Sequence, residues 1–247
     1  MKKGRWIVLV CTVIFAAQCS FGTAVIVLRS KGEIWIAADS METDQTGTNS
    51  RSACKILNTG QFYWAAAGPV YSDTTTGFEV STFVDGIKSE KGTLRSKMNA
   101  FITKSKDPFA RELASIEKDD PIGFAKLIAY TCLWQVVFVG SEGGHPAFVW
   151  ACVTAREVNG QIILDGTPEE PPGGQPAEGD FLGIGETEEA RAYLAKHRSE
   201  IVTDPAGVLR ASIIVEESAK PQLVGGEVNI LEISGNGRNW IAKGKCK

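Results

Sequence analysis

The sequence is poor in histidine and shows no clustering of metal-ligating side chains. Its 247 residues include only two histidines, His145 and His197, which are isolated from each other. Neither occurs at the short spacings that zinc sites use. We interpret both as surface or turn residues, and we expect no metal and no cofactor.

The sequence also lacks an excess of basic residues. Its 26 Lys and Arg are outnumbered by 29 Asp and Glu, which gives a formal net charge of −3. A nucleic-acid-binding protein needs a basic surface to attract phosphates. We therefore expect no nucleic-acid partner.

The N-terminal apolar run is too short for a comfortable transmembrane helix, which needs about 20 residues. It covers residues 6–17 and follows the basic residues Lys2, Lys3 and Arg5. This pattern predicts a signal peptide, and an uncleaved anchor is the alternative that the short run disfavours. A secreted or periplasmic location follows from this prediction.

The predicted signal peptide is residues 1–22, with cleavage after Gly22. Ser20 and Gly22 are small residues at positions −3 and −1 of that site, as signal peptidase requires. Lipid attachment at Cys19 is disfavoured because Gln18 precedes it. Cleavage after Gly22 would make Thr23 the first residue of a single domain, residues 23–247.

Four cysteines remain after this cleavage: Cys54, Cys132, Cys152 and Cys246. In an oxidising compartment they could pair in three ways. Cys132 and Cys152 fall on two predicted strands that follow each other, so they are candidates for cross-strand neighbours. Buried free thiols are the alternative.

The stretch from residue 22 to residue 68 carries most of the functional information. Residues 25–28 and 34–38 are short β-branched apolar runs, which predict two strands. A three-residue hairpin loop, residues 30–32, would place Asp39 directly opposite Thr23. Lys55 lies in a third, strand-like apolar piece that could pack beside them, and the sequence alone does not determine where this piece lies.

These residue types suit nucleophilic catalysis. A threonine hydroxyl needs a base, and a free α-amine with a pKa of about 7.7–8 can serve as that base. A nearby Lys55 would promote deprotonation of the Thr23 hydroxyl, and Asp39 would hold Lys55 charged and in place. The Gly68 N–H would bind the oxyanion.

The ordered set of motifs resembles the catalytic β-subunit of the proteasome and its bacterial relatives, which are N-terminal-nucleophile (Ntn) hydrolases. Thr23 to Asp39 and Asp39 to Lys55 are both sixteen residues apart, as in that family. The resemblance implies that Thr23, Asp39, Lys55 and Gly68 are the site, and that a precursor can split its own Gly–Thr bond. The motifs are Gly22-Thr23, Ala37-Ala38-Asp39-Ser40, Lys55-Ile56 and Ala67-Gly68.

The rest of the chain predicts an α+β fold. Its order of strands and helices resembles the family's four-layer αββα sandwich, with two antiparallel sheets between helix layers. A Pro/Gly-rich loop at 165–180 is interpreted as a surface insertion, with a substrate entrance as the alternative. Predicted helices are 76–87, 93–117 broken at Pro108, 187–197 and 204–220; predicted strands are 61–68, 127–140, 147–158, 162–164, 226–234 and 239–242.

Three positions depart from the family pattern. Ile184, Pro221 and Val224 stand where the family has Ser, Asp and Ser, so polar supports of the nucleophile are replaced by apolar residues. Ser40, Glu186 or Thr187 could substitute for them. These departures keep a catalytically inactive binding or structural protein open as the alternative.

The function expected from the resemblance is a threonine-type peptidase or amidohydrolase acting on a peptide or small amide. An acylase for a non-peptide amide is a further alternative. An exported enzyme would have no ATP available, so we do not expect an ATP-driven unfoldase as a partner. A homo-oligomer is an expectation by analogy with the family's rings.

Overall fold

The computed structural model describes residues 22–43, 50–68, 79–129, 132–171, 177–235, 237–244 and 246. The predicted signal peptide lies outside these residues, apart from Gly22. The elements are β1 Ala24–Ser30, β2 Glu33–Ala38, β3 Met41–Thr43, β4 Ser50–Ser52, β5 Leu57–Asn58, β6 Tyr63–Ala67, α1 Val80–Asp85, α2 Leu94–Asp119, α3 Pro121–Ile128, β7 Trp134–Glu142, β8 His145–Val158, β9 Gln161–Glu169, β10 Phe181–Gly185, α4 Glu188–Lys196, α5 Arg198–Thr203, α6 Pro205–Ala219, β11 Asn229–Ser234 and β12 Gly237–Ala242.

The strands form two five-stranded sheets and one small ladder. The first sheet has the order β10-β1-β2-β11-β12, and the second has the order β5-β6-β7-β8-β9. β3 pairs with β4 alone, and the pairings between strands are antiparallel. The fold is therefore mixed, with helices and antiparallel sheets.

Three buried clusters explain why the central strands are apolar on both faces. One cluster combines side chains from β1, β2 and β11 with side chains from β6, β7 and β8. A second joins β6–β9 to α1, α2 and α3, and a third joins β1, β2 and β11 to α4, α5 and α6. The central strands of both sheets thus share one buried cluster with helices and another with strands of the other sheet.

The β1–β2 hairpin corrects the predicted register by one residue. Ser30 pairs with Glu33, so the turn contains only Lys31 and Gly32. Both have positive φ, 58° and 76°, which is the conformation of the two-residue turn that matches strand twist. Asp39 therefore lies opposite Ala24 and not opposite Thr23.

Two further predictions need correction. Pro108 does not break a helix, because α2 runs through it with Phe101, Phe109 and Leu113 buried on both sides. This burial offsets the roughly 3 kcal/mol that an interior proline costs. The predicted strand 127–140 is also wrong at its start, since residues 127 and 128 belong to α3 and β7 begins at Trp134.

Two of the predicted helices are confirmed by the structure. α4 and α6 lie within the predicted helices, and the Asp204 side chain caps α6 by accepting the Gly207 N–H. The first residues of the predicted 165–180 loop instead extend β9 to Glu169, and residues 172–176 lie outside the described residues. The short helix α5 was not predicted from the sequence.

Four cysteines form two disulfides, Cys54–Cys246 and Cys132–Cys152. The predicted proximity of Cys132 and Cys152 is confirmed: Cys132 lies just before β7, and Cys152 lies on the neighbouring β8. The Cys54–Cys246 bond joins residues 192 positions apart in sequence.

Candidate active site

A buried ion pair between Lys55 and Asp39 forms the centre of the candidate site. Lys55 Nζ lies 2.9 Å from Asp39 Oδ1 and 3.0 Å from Oδ2. The two side chains are 6% and 0% exposed. A pair this deeply buried is maintained only where geometry and further hydrogen bonds compensate for lost hydration.

Backbone N–H groups supply those further hydrogen bonds. Ala24 donates to Asp39 Oδ1 at 2.9 Å, and Met41 and Gly225 donate to Oδ2 at 3.3 Å each. The corrected hairpin register creates the first of these contacts, because it sets the end of β2 against Ala24. Asp39, at the end of β2, therefore forms hydrogen bonds with the start of β1 and with the segment before β11.

The lysine also contacts the peptide unit that precedes the predicted nucleophile. Lys55 Nζ donates to the Gly22 carbonyl oxygen at 3.0 Å, in addition to both Asp39 oxygens. An ammonium group has three N–H donors. Lys55 thus directs one donor at the carbonyl of the Gly22–Thr23 bond.

Lys55 does not lie on a strand, which corrects the expectation of a strand-like piece. Residues 53–55 run between β4 and β5 without a ladder, and β5 begins only at Leu57. The Ala53 N–H donates to the Ser40 carbonyl at 2.8 Å. This bond sets the segment beside the end of β2.

Burial shifts the acid–base properties of both charged groups. Desolvation raises the pKa of the Asp39 carboxyl, with the attraction of Lys55 and the backbone donors opposing that shift. Desolvation likewise lowers the pKa of the Lys55 ammonium, and Asp39 opposes it. Burial therefore destabilises the charged form of each group, and the contact between the two groups opposes that effect.

Thr23 is 9% exposed and is fixed through its backbone. Its carbonyl accepts the Glu186 N–H at 2.7 Å. Gly185 has a φ of 74°, and a Cβ there would lie 2.0 Å from the Thr23 carbonyl oxygen and 2.9 Å from Ala67 Cβ. The ends of β10 and β6 therefore meet beside the start of β1.

Gly68 follows Ala67 directly, so it is adjacent to this junction. Its φ is 109°, and a Cβ on it would lie 2.6 Å from the Leu133 carbonyl oxygen. Both facts require glycine there. The structure thus places Asp39 and Lys55 in contact with the residues on either side of Thr23, and it places Gly68 next to Ala67, which lies beside Gly185.

The three departures from the family pattern lie in apolar or exposed surroundings. Ile184 is buried with residues of both sheets, and Val224 is buried with residues of α4, α5 and α6. Pro221 is exposed. Ser40, one of the suggested substitutes, accepts the Glu227 N–H at 2.8 Å and the Ser52 hydroxyl at 3.3 Å.

A second cluster of charged side chains lies near Thr23, and the sequence did not predict that its members meet. Lys220 Nζ lies 2.7 Å from Glu186 Oε2 and 3.2 Å from Glu216 Oε1. A surface cavity of about 690 Å³ is lined by Glu186, Lys220, Thr187 and Arg191 among others. The contact between Glu216 and Lys220 could have been predicted from the sequence, because oppositely charged residues four apart on a helix lie close together.

Two absences apply to the described part of the chain. It contains no group of three His, Cys, Asp or Glu side chains arranged to hold a metal ion. None of its helices is long and apolar enough to cross a membrane.

Comparison with known proteins identifies the fold. No family model matches the sequence, and no curated protein matches it. Among solved structures 429 chains match, including an Anbu (Gly-1) mutant from Hyphomicrobium sp. strain MC1. That match has a TM-score of 0.53 and 17% identity, and it covers 90% of this chain and 87% of the Anbu chain. The chain therefore shares its overall fold with this Anbu protein.

Proposed function

We propose that this protein is an exported threonine N-terminal-nucleophile hydrolase that cleaves peptide or other amide bonds. One observation carries the proposal. Lys55 Nζ contacts both the Asp39 carboxylate and the Gly22 carbonyl oxygen. A buried cation thus stands at the bond whose cleavage would give Thr23 a free α-amine.

Cleavage at this bond would prepare the site for catalysis. Removal of Gly22 takes away one of the three oxygen atoms that Lys55 contacts, so one ammonium N–H becomes available to the Thr23 hydroxyl. The new α-amine has a pKa close to neutral and can accept the hydroxyl proton. Asp39 would keep Lys55 in position through both steps.

The proposed reaction proceeds through an ester. Thr23 Oγ bonds to the substrate carbonyl carbon, the Gly68 N–H stabilises the oxyanion, and the amine product leaves with the proton that Thr23 lost. Water then attacks the ester, which releases the acid product and restores the hydroxyl. The substrate is proposed to be a peptide or a small amide.

The proposed architecture is the four-layer αββα sandwich. The three buried clusters support it, because each sheet contacts helices on one face and residues of the other sheet on the opposite face. In this arrangement Thr23 would lie at the open end between the two sheets. A homo-oligomer is proposed only by analogy with the family.

Export is proposed from the signal-peptide pattern of residues 1–22, and the two disulfides support it because such bonds persist in oxidising compartments. An exported enzyme would work without ATP, so no ATP-driven unfoldase is proposed as a partner.

The second candidate is an inactive binding or structural protein on the same fold. Ile184 and Val224 favour it, since both are buried among apolar side chains where the family has polar ones. A site without those polar supports can retain the fold and lose the chemistry.

The N-terminal sequence and intact mass of the exported protein test both candidates, before and after treatment with an epoxyketone. The proposed enzyme starts at Thr23 and gains the mass of the probe at that residue, and Thr23→Ala removes the label. A chain that starts at Thr23 and ignores both the probe and amide substrates is the inactive protein. A chain that starts elsewhere lacks the catalytic base and rejects the enzyme proposal.

A further inference from the structure

The segment that carries Lys55 is attached covalently to a distant part of the chain. Cys54, the residue before Lys55, is bonded to Cys246. Residues 53–55 have no strand ladder, whereas Asp39 is anchored at the end of β2 by three backbone donors. The lysine is therefore on the less constrained side of the buried pair.

The other end of the disulfide is packed against the first sheet, close to Asp39. The Cys246 N–H donates to the Lys243 carbonyl at 2.8 Å. A Cβ on Gly244 would lie 2.6 Å from Asn229 Oδ1 and 2.5 Å from Glu227 Oε2, so this turn is in close contact with the start of β11. Asn229 pairs with Ala38, the residue before Asp39.

We propose that the Cys54–Cys246 disulfide is a positioning element of the candidate active site, which holds Lys55 against Asp39 and the Gly22 carbonyl, and that its reduction inactivates the site. The effect on activity rests on the proposed function, whereas the effect on the position of Lys55 does not. The covalent path runs from the turn beside β11 through Cys246 and Cys54 to Lys55.

Physical considerations indicate why such a bond is needed. A buried ammonium–carboxylate pair is maintained only in good geometry, and a four-carbon lysine stem on a segment outside the strand ladders has many other conformations. In the folded protein the Cys54–Cys246 bond restricts the backbone of the residue next to Lys55, and across 192 residues it also restricts the unfolded chain. A dithiol such as dithiothreitol would convert the bond into two thiols and would itself become a cyclic disulfide.

The second disulfide provides a matched control. The Cys132–Cys152 disulfide joins residues that are only 20 positions apart in sequence. It lies next to β7 and β8, which are already paired from Trp134 to Glu142. The Leu133 N–H also donates to the Val153 carbonyl at 2.9 Å. Removing this disulfide should leave the position of Lys55 unchanged.

The test compares Cys54→Ser/Cys246→Ser with Cys132→Ser/Cys152→Ser in the mature protein. Hydrogen exchange and the ¹H–¹⁵N signal of the Lys55 ammonium, assigned by its loss in Lys55→Arg, report the position of Lys55 without requiring activity. We expect the first variant to lose that signal and the amide protection of residues 53–57, with β7 and β8 protected as before. The control variant should keep both.

Labelling of Thr23 by an epoxyketone supplies the activity readout. We expect it to slow about 10- to 100-fold in Cys54→Ser/Cys246→Ser and in the dithiothreitol-treated wild type, and not in the control. Its pH dependence should also move to higher pH as Lys55 becomes solvated.

The outcomes separate the two claims. Unchanged exchange and an unchanged Lys55 signal without the Cys54–Cys246 bond would overturn the positioning role, whatever the activity. Failure of the wild type to label would reject the proposed function, and the exchange and ammonium measurements would still decide the positioning role.

Discussion

Lys55 Nζ lies 3.0 Å from the carbonyl oxygen of Gly22, and the same atom donates hydrogen bonds to both carboxylate oxygens of Asp39. A hydrogen bond from a cation withdraws electrons from a carbonyl and favours attack on its carbon. The nearest hydroxyl in sequence is that of Thr23, on the other side of the same peptide bond. This relationship leads to a prediction about how the mature N-terminus forms.

We expect the folded precursor to cleave its own Gly22–Thr23 bond. A Cβ at position 22 would lie 1.9 Å from the Leu223 carbonyl oxygen, so Gly22→Ala should displace the bond and slow cleavage about tenfold or more. Thr23→Ala should abolish cleavage. Mass spectrometry of refolded precursor, free of signal peptidase, measures both rates.

A wild-type precursor that stays intact in that experiment would contradict self-cleavage. Signal peptidase would then be the processing enzyme, and it accepts alanine at the −1 position. Gly22→Ala and Thr23→Ala would both be processed normally in cells in that case.

Breaking the buried ion pair should cost both stability and activity. Lys55→Met leaves the Asp39 carboxylate buried without its cation, and we expect the free energy of unfolding to fall by about 3–5 kcal/mol. Asp39→Asn combined with Lys55→Met should recover part of that loss, because no unpaired charge remains and the amide oxygen still accepts the Ala24 N–H. Recovery is incomplete because the amide NH2 cannot accept the Met41 and Gly225 N–H groups as Oδ2 does. Urea unfolding measures the stabilities.

Neither variant should react with an epoxyketone at Thr23. A double variant that regains stability and also labels at the wild-type rate would show that the charges serve the fold and not the nucleophile. With Asp39→Asn as the second single variant, a double-mutant cycle measures the coupling between the two side chains in stability and in labelling.

Gly185→Ala should disrupt the Thr23 backbone. The new Cβ would lie 2.0 Å from the Thr23 carbonyl oxygen, in addition to the strain of alanine at a φ of 74°. Gly32→Ala is the matched control, since Gly32 has a φ of 76° and no atom within 4 Å of the added Cβ. The control should lose about 1–2 kcal/mol from the strain alone and keep its Thr23 labelling.

Equal stability and equal labelling of the Gly185→Ala and Gly32→Ala proteins would contradict the close packing of Gly185 on Thr23. Thermal unfolding and the probe assay provide the comparison. A larger loss in Gly185→Ala measures the cost of moving the Thr23 backbone.

The hairpin end of the first sheet should show a separate pH effect on stability. Burial, a hydrogen bond that protonated Glu33 donates to Glu232, and repulsion by the Glu232 carboxylate raise the pKa of Glu33 to about 7 from an ordinary value of 4.5. The folded protein therefore holds this proton more tightly than the unfolded chain. The resulting stabilisation is complete below pH 4.5 and is lost as pH rises through about 7.

Glu33→Gln should remove this dependence by supplying a permanently neutral side chain. The pH-dependent part of the free energy of unfolding that Glu33→Gln removes should be below about 1 kcal/mol, because Glu33 is partly exposed and screened by solvent. Urea unfolding between pH 4.5 and 7 measures it. If the free energy of unfolding changed across this interval by the same amount in the wild type and in Glu33→Gln, the assignment to Glu33 would be contradicted.

The sequence identified the central residues of the candidate site because their chemistry is local. Thr23 and Asp39 stand at the ends of short apolar runs that predict β1 and β2, whereas Lys55 lies on a segment outside the strands. The register was wrong by one residue because lysine rarely adopts positive φ, which made a two-residue turn at Lys31-Gly32 less expected than a longer loop.

The parts that sequence analysis missed depend on tertiary contacts. Pro108 is tolerated in α2 because the residues around it are buried, and pattern rules do not include that compensation. The Glu186–Lys220 contact and the Cys54–Cys246 bond connect residues 34 and 192 positions apart. Only the folded chain shows which distant residues meet.

Asp39 accepts one of its hydrogen bonds from Gly225, which is 186 residues further along the chain. During synthesis, the predicted nucleophile at Thr23 and its partner Asp39 leave the ribosome long before this donor exists. The environment of Asp39 is completed only when β11 has been made and has joined β2. A growing chain would therefore carry its reactive residue in an unassembled state until the final stage of folding.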